Sequence, residues 1–165
     1  MRKALSLAAA LLAAATGPLL APAQANAAEF KDYYITTVHV DGKTSIHGDG
    51  NHGAEAFPES PLPAGTGLVR TPPNEEGAWK MRAFIFEPSQ IVVLEGADIR
   101  LNFVGVQGMH HSIRVEGEGI DTSLSLDRGN VQSVELADVK AGTIHIICDD
   151  HQPSMNSEVV VLPAG

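Results

Sequence analysis

One stretch of the sequence says most about fold and chemistry: Thr143-Ile144-His145-Ile146-Ile147-Cys148-Asp149-Asp150-His151-Gln152-Pro153-Ser154-Met155. Its first half alternates, which predicts a β-strand with Ile144, Ile146 and Cys148 on the inward face. The loop that follows brings a thiol, an imidazole and a thioether close together in the chain. Soft sulfur combined with imidazole is the donor set that copper prefers. The stretch therefore predicts a copper site at the end of a strand.

The loop alone supplies Cys148, His151 and Met155, which is one imidazole short of the set of two His, one Cys and a weak axial Met. The segment Gly108-Met109-His110-His111-Ser112-Ile113 offers the missing donor. His111 begins a strand on the same face as Ile113, so its side chain is expected to point inward. The neighbouring His110 is the alternative ligand. The predicted metal ligands are therefore His111, Cys148, His151 and Met155.

Several other segments are rich in β-branched and aromatic residues or alternate between apolar and polar side chains. No stretch has a helical period over three turns. Seven or eight short strands separated by turn signals predict an all-β fold, a Greek-key β-sandwich of mainly antiparallel strands, with an up-and-down barrel as the competitor. The expected strands are Tyr33–Val40, Lys80–Phe86, Gln90–Glu95, Asp98–Val104, His111–Val115, Asn130–Leu136, Thr143–Cys148 and Ser157–Leu162.

The N-terminus has the pattern of a secretory signal peptide. Arg2 and Lys3 precede a short Ala- and Leu-rich segment, and Ala25-Asn26-Ala27 provides a small-residue cleavage site. The apolar segment is too short to span a membrane, which takes roughly 20 apolar residues. We expect cleavage after Ala27, no membrane insertion, and a mature protein in the periplasm or outside the cell.

The mature chain is expected to form one domain with an N-terminal extension. Residues 28–78 would form a first strand and a long loop rich in Gly and Pro that also contains His47 and His52. Residues 79–165 would form the sandwich core. The long loop is expected to be functional or mobile, as such loops in compact domains usually are.

The chain is acidic and contains one cysteine. Its net charge is −9, and removal of residues 1–27 takes away two basic residues and no acidic one, which lowers the charge to −11. This balance argues against nucleic acid as a partner and favours a basic protein partner, although it would also simply keep a secreted protein soluble. With Cys148 alone, an internal disulfide is excluded, and the thiol is free to act as a metal ligand or as a small buried side chain.

These residues resemble those of the cupredoxins, small copper proteins built on a Greek-key sandwich. In that family a His at a loop-to-strand junction joins a C-terminal loop of Cys, His and Met, and the matching residues here are His111, Cys148, His151 and Met155. The resemblance covers roughly residues 79–162. It implies a copper ion held by these four side chains. It also implies that the side chain of Ser112 connects the two ligand loops.

A closer resemblance is to nitrosocyanin and to the copper domains of nitrous oxide reductase and cytochrome oxidase subunit two, carried by Met81-Arg82-Ala83-Phe84 and the N-terminal strand with its long loop. The binuclear domains need a second Cys, so a single copper ion per chain is implied here. Nitrosocyanin has Glu where His111 aligns and a further His near Asn156, so its open coordination does not transfer.

The function expected from this site is single-electron transfer through copper, with no enzymatic activity. The redox partner would be a protein, such as a cytochrome or a copper oxidase or reductase. Two alternatives remain open: copper delivery or storage for a larger enzyme, favoured by His47, His52 and Met109, and a small nitrosocyanin-like copper enzyme with an open site. His39 and His145 are expected to lie outside the site, with His145 on the outer face of its strand.

Overall fold

The computed structural model describes residues 29–44 and 56–165, and for residues 43 and 44 it describes the backbone only. These residues form ten β-strands and one turn of 3-10 helix, Asp149–His151, and contain no α-helix. The strands are β1 Lys31–Thr44, β2 Leu68–Thr71, β3 Trp79–Glu87, β4 Gln90–Leu94, β5 Ile99–Val104, β6 His110–Gly117, β7 Ile120–Asp127, β8 Val131–Leu136, β9 Gly142–Cys148 and β10 Asn156–Leu162.

The strands form two mixed five-stranded sheets, which confirms the predicted β-sandwich. One sheet has the order β2-β3-β1-β5-β8 and the other β4-β10-β9-β6-β7. Pairing is antiparallel except between β1 and β5 and between β10 and β4. Since neighbouring strands are mostly not consecutive in the chain, an up-and-down barrel is excluded.

The structure has two strands more than the eight segments that the sequence predicted. β2 is only four residues long and follows a Gly- and Pro-rich segment, so its pattern is weak. β7 lies at the edge of its sheet, where Asp and Ser side chains face solvent and only Leu126 is fully buried. An edge strand has little need for a continuous apolar face, which explains why its sequence signal is faint.

The core lies between the sheets and is built from alternate residues of nearly every strand. Phe86 on β3 and Phe103 on β5 are fully buried and meet edge to face, with ring centroids 6.4 Å apart. Ile113 on β6 and Ile146 on β9 approach from the opposite sheet and are also fully buried. Each such side chain contributes about 1.5–3 kcal/mol by leaving water. This core holds the strand ends that carry the predicted ligands in place.

β1 lies at the centre of its sheet, although it precedes the predicted core in the chain. It pairs antiparallel with β3 and parallel with β5. Ile35 and Thr37 of β1 are both fully buried. No helix in the described part of the chain is long and apolar enough to cross a membrane. The predicted signal peptide, residues 1–27, and the residues His47 and His52 lie outside the described residues.

Candidate metal centre

The end of β9 and the start of β6 meet at one end of the sandwich. Ile113 pairs with Cys148, so His111, two residues earlier on the same face of β6, lies next to the loop that follows Cys148. The Sγ atom of Cys148 is 3.6 Å from Nδ1 of His111 and 3.4 Å from Nδ1 of His151. The three donor atoms lie within 4.8 Å of one another. The structure thus brings together three of the four predicted ligands at one point.

Each of the two sulfur–nitrogen separations fits a metal ion bound by both atoms of that pair. Metal–nitrogen bonds of about 2.0–2.1 Å and metal–sulfur bonds of about 2.3 Å, arranged trigonally or tetrahedrally, place sulfur and nitrogen about 3.5–3.8 Å apart. The two observed sulfur–nitrogen distances, 3.6 and 3.4 Å, are close to this range. Since thiolate and imidazole together favour copper, the donor set fits the copper ion that the sequence predicts.

The backbone around His111 determines which ring nitrogen is free to bind. Nε2 of His111 lies 2.7 Å from the carbonyl oxygen of Gln107, and a carbonyl can only accept, so Nε2 carries the proton. Nδ1 therefore keeps its lone pair and faces the Cys148 thiol. The same carbonyl accepts a hydrogen bond of 3.0 Å from the Thr37 hydroxyl, which in turn accepts one from the amide of Val106. Through Thr37, β1 holds the carbonyl that orients the ligand ring.

The loop from Cys148 to Met155 is closed by its own hydrogen bonds. The amide of Cys148 donates to the carbonyl of Met155, and the amide of Met155 donates to the carbonyl of His151, both at 3.1 Å. The Gln152 side chain donates to the carbonyl of Cys148 at 2.8 Å. Met155 is fully buried, as are Cys148 and His111. The loop is thereby held in one conformation, with Met155 on the buried side.

His110 points away from this cluster. Its Nδ1 lies 2.8 Å from Oδ1 of Asp127 at the surface, and the hydrogen bond to that carboxylate raises the pKa of His110 above its ordinary value. The main chain of β6 alternates, so consecutive residues cannot both face inward. Of the two neighbouring histidines, the geometry therefore favours His111 as the ligand.

Asp150 connects the two ligand-bearing segments. Its carboxylate accepts a hydrogen bond of 2.5 Å from the amide of Ser112. Burial acts to raise the pKa of Asp150, but its interactions with Ser112, aided by His110 and His151, hold that pKa below its usual range. Ser112 is thus connected to the ligand loop through its backbone amide, whereas the connection through its side chain stays a prediction.

Burial also changes the acid–base behaviour of the three donors. Desolvation lowers the pKa of His111, although its hydrogen bond to Gln107 acts in the opposite direction. The pKa of His151 is lowered mainly by desolvation and, to a smaller extent, by the nearby His111 ring. Desolvation raises the pKa of the Cys148 thiol to about 11. Both imidazoles are therefore neutral and ready to bind at neutral pH, whereas the thiol releases its proton only when a metal ion replaces it.

The remaining predicted residues lie away from the donors. Met109 is 80% exposed, and His145 is exposed on the outer face of β9, as expected from its position in the strand. Nδ1 of His39 lies 3.3 Å from Oδ2 of Asp41, and its ring meets the edge of Phe84. None of these side chains is part of the donor cluster in the described residues.

Several residues around the site had not been singled out. Gly108 has a φ of +86°, and a Cβ there would lie 2.5 Å from Nε2 of His111. The Phe84 ring packs against the His151 imidazole with centroids 4.1 Å apart. Residues 65–67 contact the backbone of the ligand loop. Gly108, three residues before the predicted ligand His111, was the one available signal in the sequence, since a Gly often marks a close approach of the backbone.

No protein-family model and no curated protein matches the chain. Solved structures do match it. Auracyanin A, a "blue" copper protein of Chloroflexus aurantiacus, is 18% identical over 47% of this chain and 88% of its own, with a TM-score of 0.38. Reduced auracyanin of Roseiflexus castenholzii is 15% identical over 48% of this chain and 88% of its own, with a TM-score of 0.41. A reduced amicyanin variant is 23% identical over 47% of this chain and 72% of its own, with a TM-score of 0.36. The expected closer grouping with nitrosocyanin stays a prediction.

Proposed function

We propose that this protein is an exported single-electron carrier that binds one copper ion per chain through His111, Cys148, His151 and Met155. The observation that carries the proposal is the convergence of three donor atoms within 4.8 Å, with the tautomer of His111 set by Gln107 so that Nδ1 is free. Copper held by such a set exchanges one electron between its two common oxidation states. No enzymatic step is proposed.

The burial of the donors favours a carrier over a delivery or storage protein. His111, Cys148 and Met155 are fully buried, and only His151 is half-buried. A delivery protein has to release its metal to a partner, which requires accessible and exchangeable ligands. Electron transfer requires only a ring edge near the surface, and His151 is the donor that provides it.

Met155 is proposed as the weak axial donor. It is fully buried, and its backbone bonds both to Cys148 and to His151, which keeps it at the closed end of the loop. A fourth donor from the protein would leave no position for a substrate, which argues against an open-site enzyme. Met155→Leu is expected to keep the thiolate-to-copper absorption and to raise the reduction potential, because the axial donor stabilises the more highly charged ion. An unchanged potential would mean that Met155 does not bind.

The partner is proposed to be a redox protein with a basic contact surface, because the whole chain carries a net charge of −9. A nucleic acid is not a proposed partner. The location is proposed to be the periplasm or the outside of the cell, following cleavage after Ala27. Mass spectrometry of the protein purified from a secreting host tests this, and a mature chain that begins at another residue would refute the cleavage site.

The central experiment is a copper titration of the purified protein. Addition of one equivalent of Cu(II) is expected to produce an intense visible absorption from thiolate to copper, and voltammetry is expected to show a reversible one-electron couple. Cys148→Ser should abolish the absorption, whereas His110→Ala should keep it. A colourless wild-type protein, or one that binds only zinc, would overturn the proposal.

A further inference from the structure

The segment Gly65-Thr66-Gly67, which precedes β2, lies directly against the ligand loop. It belongs to the long Gly- and Pro-rich region that the sequence could not assign to any role. Its contacts are with Asp150, His151, Gln152 and Ser154, about 85 residues later in the chain. One short segment therefore contacts four residues of the proposed metal loop, three of which are consecutive.

Hydrogen bonds join the two segments at three points. The Thr66 hydroxyl donates to the carbonyl of Asp150, and the amide of Gly67 donates to the carbonyl of Gln152 at 3.0 Å. The Ser154 hydroxyl lies 2.6 Å from the carbonyl of Gly67 and 2.8 Å from that of Phe84, and shares its one proton between them. The carbonyls on either side of His151 are thus both held by residues 66 and 67.

The two glycines allow this approach. A Cβ at Gly67 would overlap the carbonyl group of His151, and a Cβ at Gly65 would overlap that of Gln152. Any other residue at position 67 would push the loop outward at the backbone of the ligand itself. The amide of Phe84 donates to the carbonyl of Gly67 at 2.8 Å, and the Phe84 ring packs on the His151 imidazole. The same stretch therefore supports the backbone of His151 directly and its ring through Phe84.

We propose that Gly65-Thr66-Gly67 is a positioning segment that holds the His151 loop in its metal-binding geometry. This inference rests on the proposed function, since it assigns a role in ligand placement to residues outside the donor set. Thr66 and Gly67 act through the carbonyls of Asp150, His151 and Gln152. The long N-terminal region thereby contributes to the metal centre.

Two pairs of variants test the role. Thr66→Val removes the hydroxyl and keeps the shape of the side chain, and Thr66→Ser restores the hydroxyl. Gly67→Ala introduces the overlapping Cβ, and Gly42→Ala is the matched control, because its Cβ would make only an ordinary contact of 3.8 Å with the Met81 carbonyl. Thr66→Val is expected to lower copper affinity about fivefold to tenfold, the effect of one lost hydrogen bond. Gly67→Ala is expected to have a larger effect.

The decisive readouts are the position of the thiolate-to-copper band, the copper hyperfine splitting and the reduction potential, which a purely structural segment would leave unchanged. Thr66→Val and Gly67→Ala should shift all three, while Thr66→Ser and Gly42→Ala should match the wild type. If Gly67→Ala does not fold, the Thr66 pair still decides. Wild-type spectra, potential and affinity in Thr66→Val would overturn the positioning role and leave the proposed function standing. A wild-type protein without the band would instead overturn the proposed function.

Discussion

Gly108 offers a direct test of how tightly the site is built around His111. The residue has a φ of +86°, and a Cβ there would lie 2.5 Å from Nε2 and 2.7 Å from Cε1 of the His111 ring. These two atoms belong to a buried imidazole that cannot move outward. Gly108→Ala must therefore adopt a strained backbone and also displace the ring from its bond to the Gln107 carbonyl.

The expected cost has two parts. An alanine in the left-handed region costs about 1–2 kcal/mol, and the loss of one buried hydrogen bond costs about 1–1.5 kcal/mol. Gly129→Ala isolates the first part, because Gly129 has nearly the same φ, +88°, and has nothing within 4 Å of its Cβ position. Gly108→Ala should therefore lower the free energy of unfolding by about 1 kcal/mol or more beyond the loss in Gly129→Ala.

Urea denaturation of the copper-free proteins measures this difference, and a copper titration measures its consequence for the site. In Gly108→Ala the displaced His111 should weaken copper binding and shift the thiolate-to-copper band, while Gly129→Ala should bind copper as the wild type does. Equal stability losses in the two variants, together with an unchanged band in Gly108→Ala, would refute the geometry described for His111.

Three further predictions follow from the same contacts. Thr37→Val removes one partner from the part-buried carbonyl of Gln107 and from the part-buried amide of Val106. It should therefore lower the free energy of unfolding by about 1 kcal/mol, and Thr37→Ser should recover most of the loss in the same urea experiment. His110→Ala should leave the copper spectrum unchanged, and loss of the band would show that the wrong histidine was assigned. In the copper-free protein, burial raises the pKa of the Cys148 thiol from 9.0 to about 11. The thiol therefore contributes stability that is fully present below pH 9 and is lost as the pH rises through 11. Ultraviolet titration of the thiolate should give a midpoint near 11, and a midpoint at or below 9 would contradict the burial of the thiol.

The ligand loop could be predicted from sequence because its information is local. Strand alternation places Ile146 and Cys148 on one face, and His151 and Met155 follow within a single turn and loop. The choice of His111 over His110 also depended only on alternation, given that Ile113 faces the core. Local periodicity of this kind is preserved in the fold because one face of each strand must be buried.

The residues that support the loop could not be predicted in the same way. Thr66 and Asp150 are 84 residues apart in the chain, and Thr37 and Gln107 are 70 apart. Such pairs depend on the register of β1 against β5 and on the path of the chain before β2, neither of which leaves a local pattern. The sequence of residues 64–67 resembles any Gly-rich loop, and its contact with the metal loop becomes visible only in three dimensions.

The arrangement of these supports bears on how the protein would transfer electrons. His111 is held by the Gln107 carbonyl, Cys148 and Met155 are held by the bond between their backbones, and the loop is tied to β6 through Asp150 and Ser112. All of these contacts are made within the chain itself. A donor set fixed by the protein changes little when the charge of a bound ion changes, because the ligands are not free to follow the ion. This property suits a carrier that must gain and lose an electron rapidly, whereas a delivery protein would need ligands that can be released one at a time.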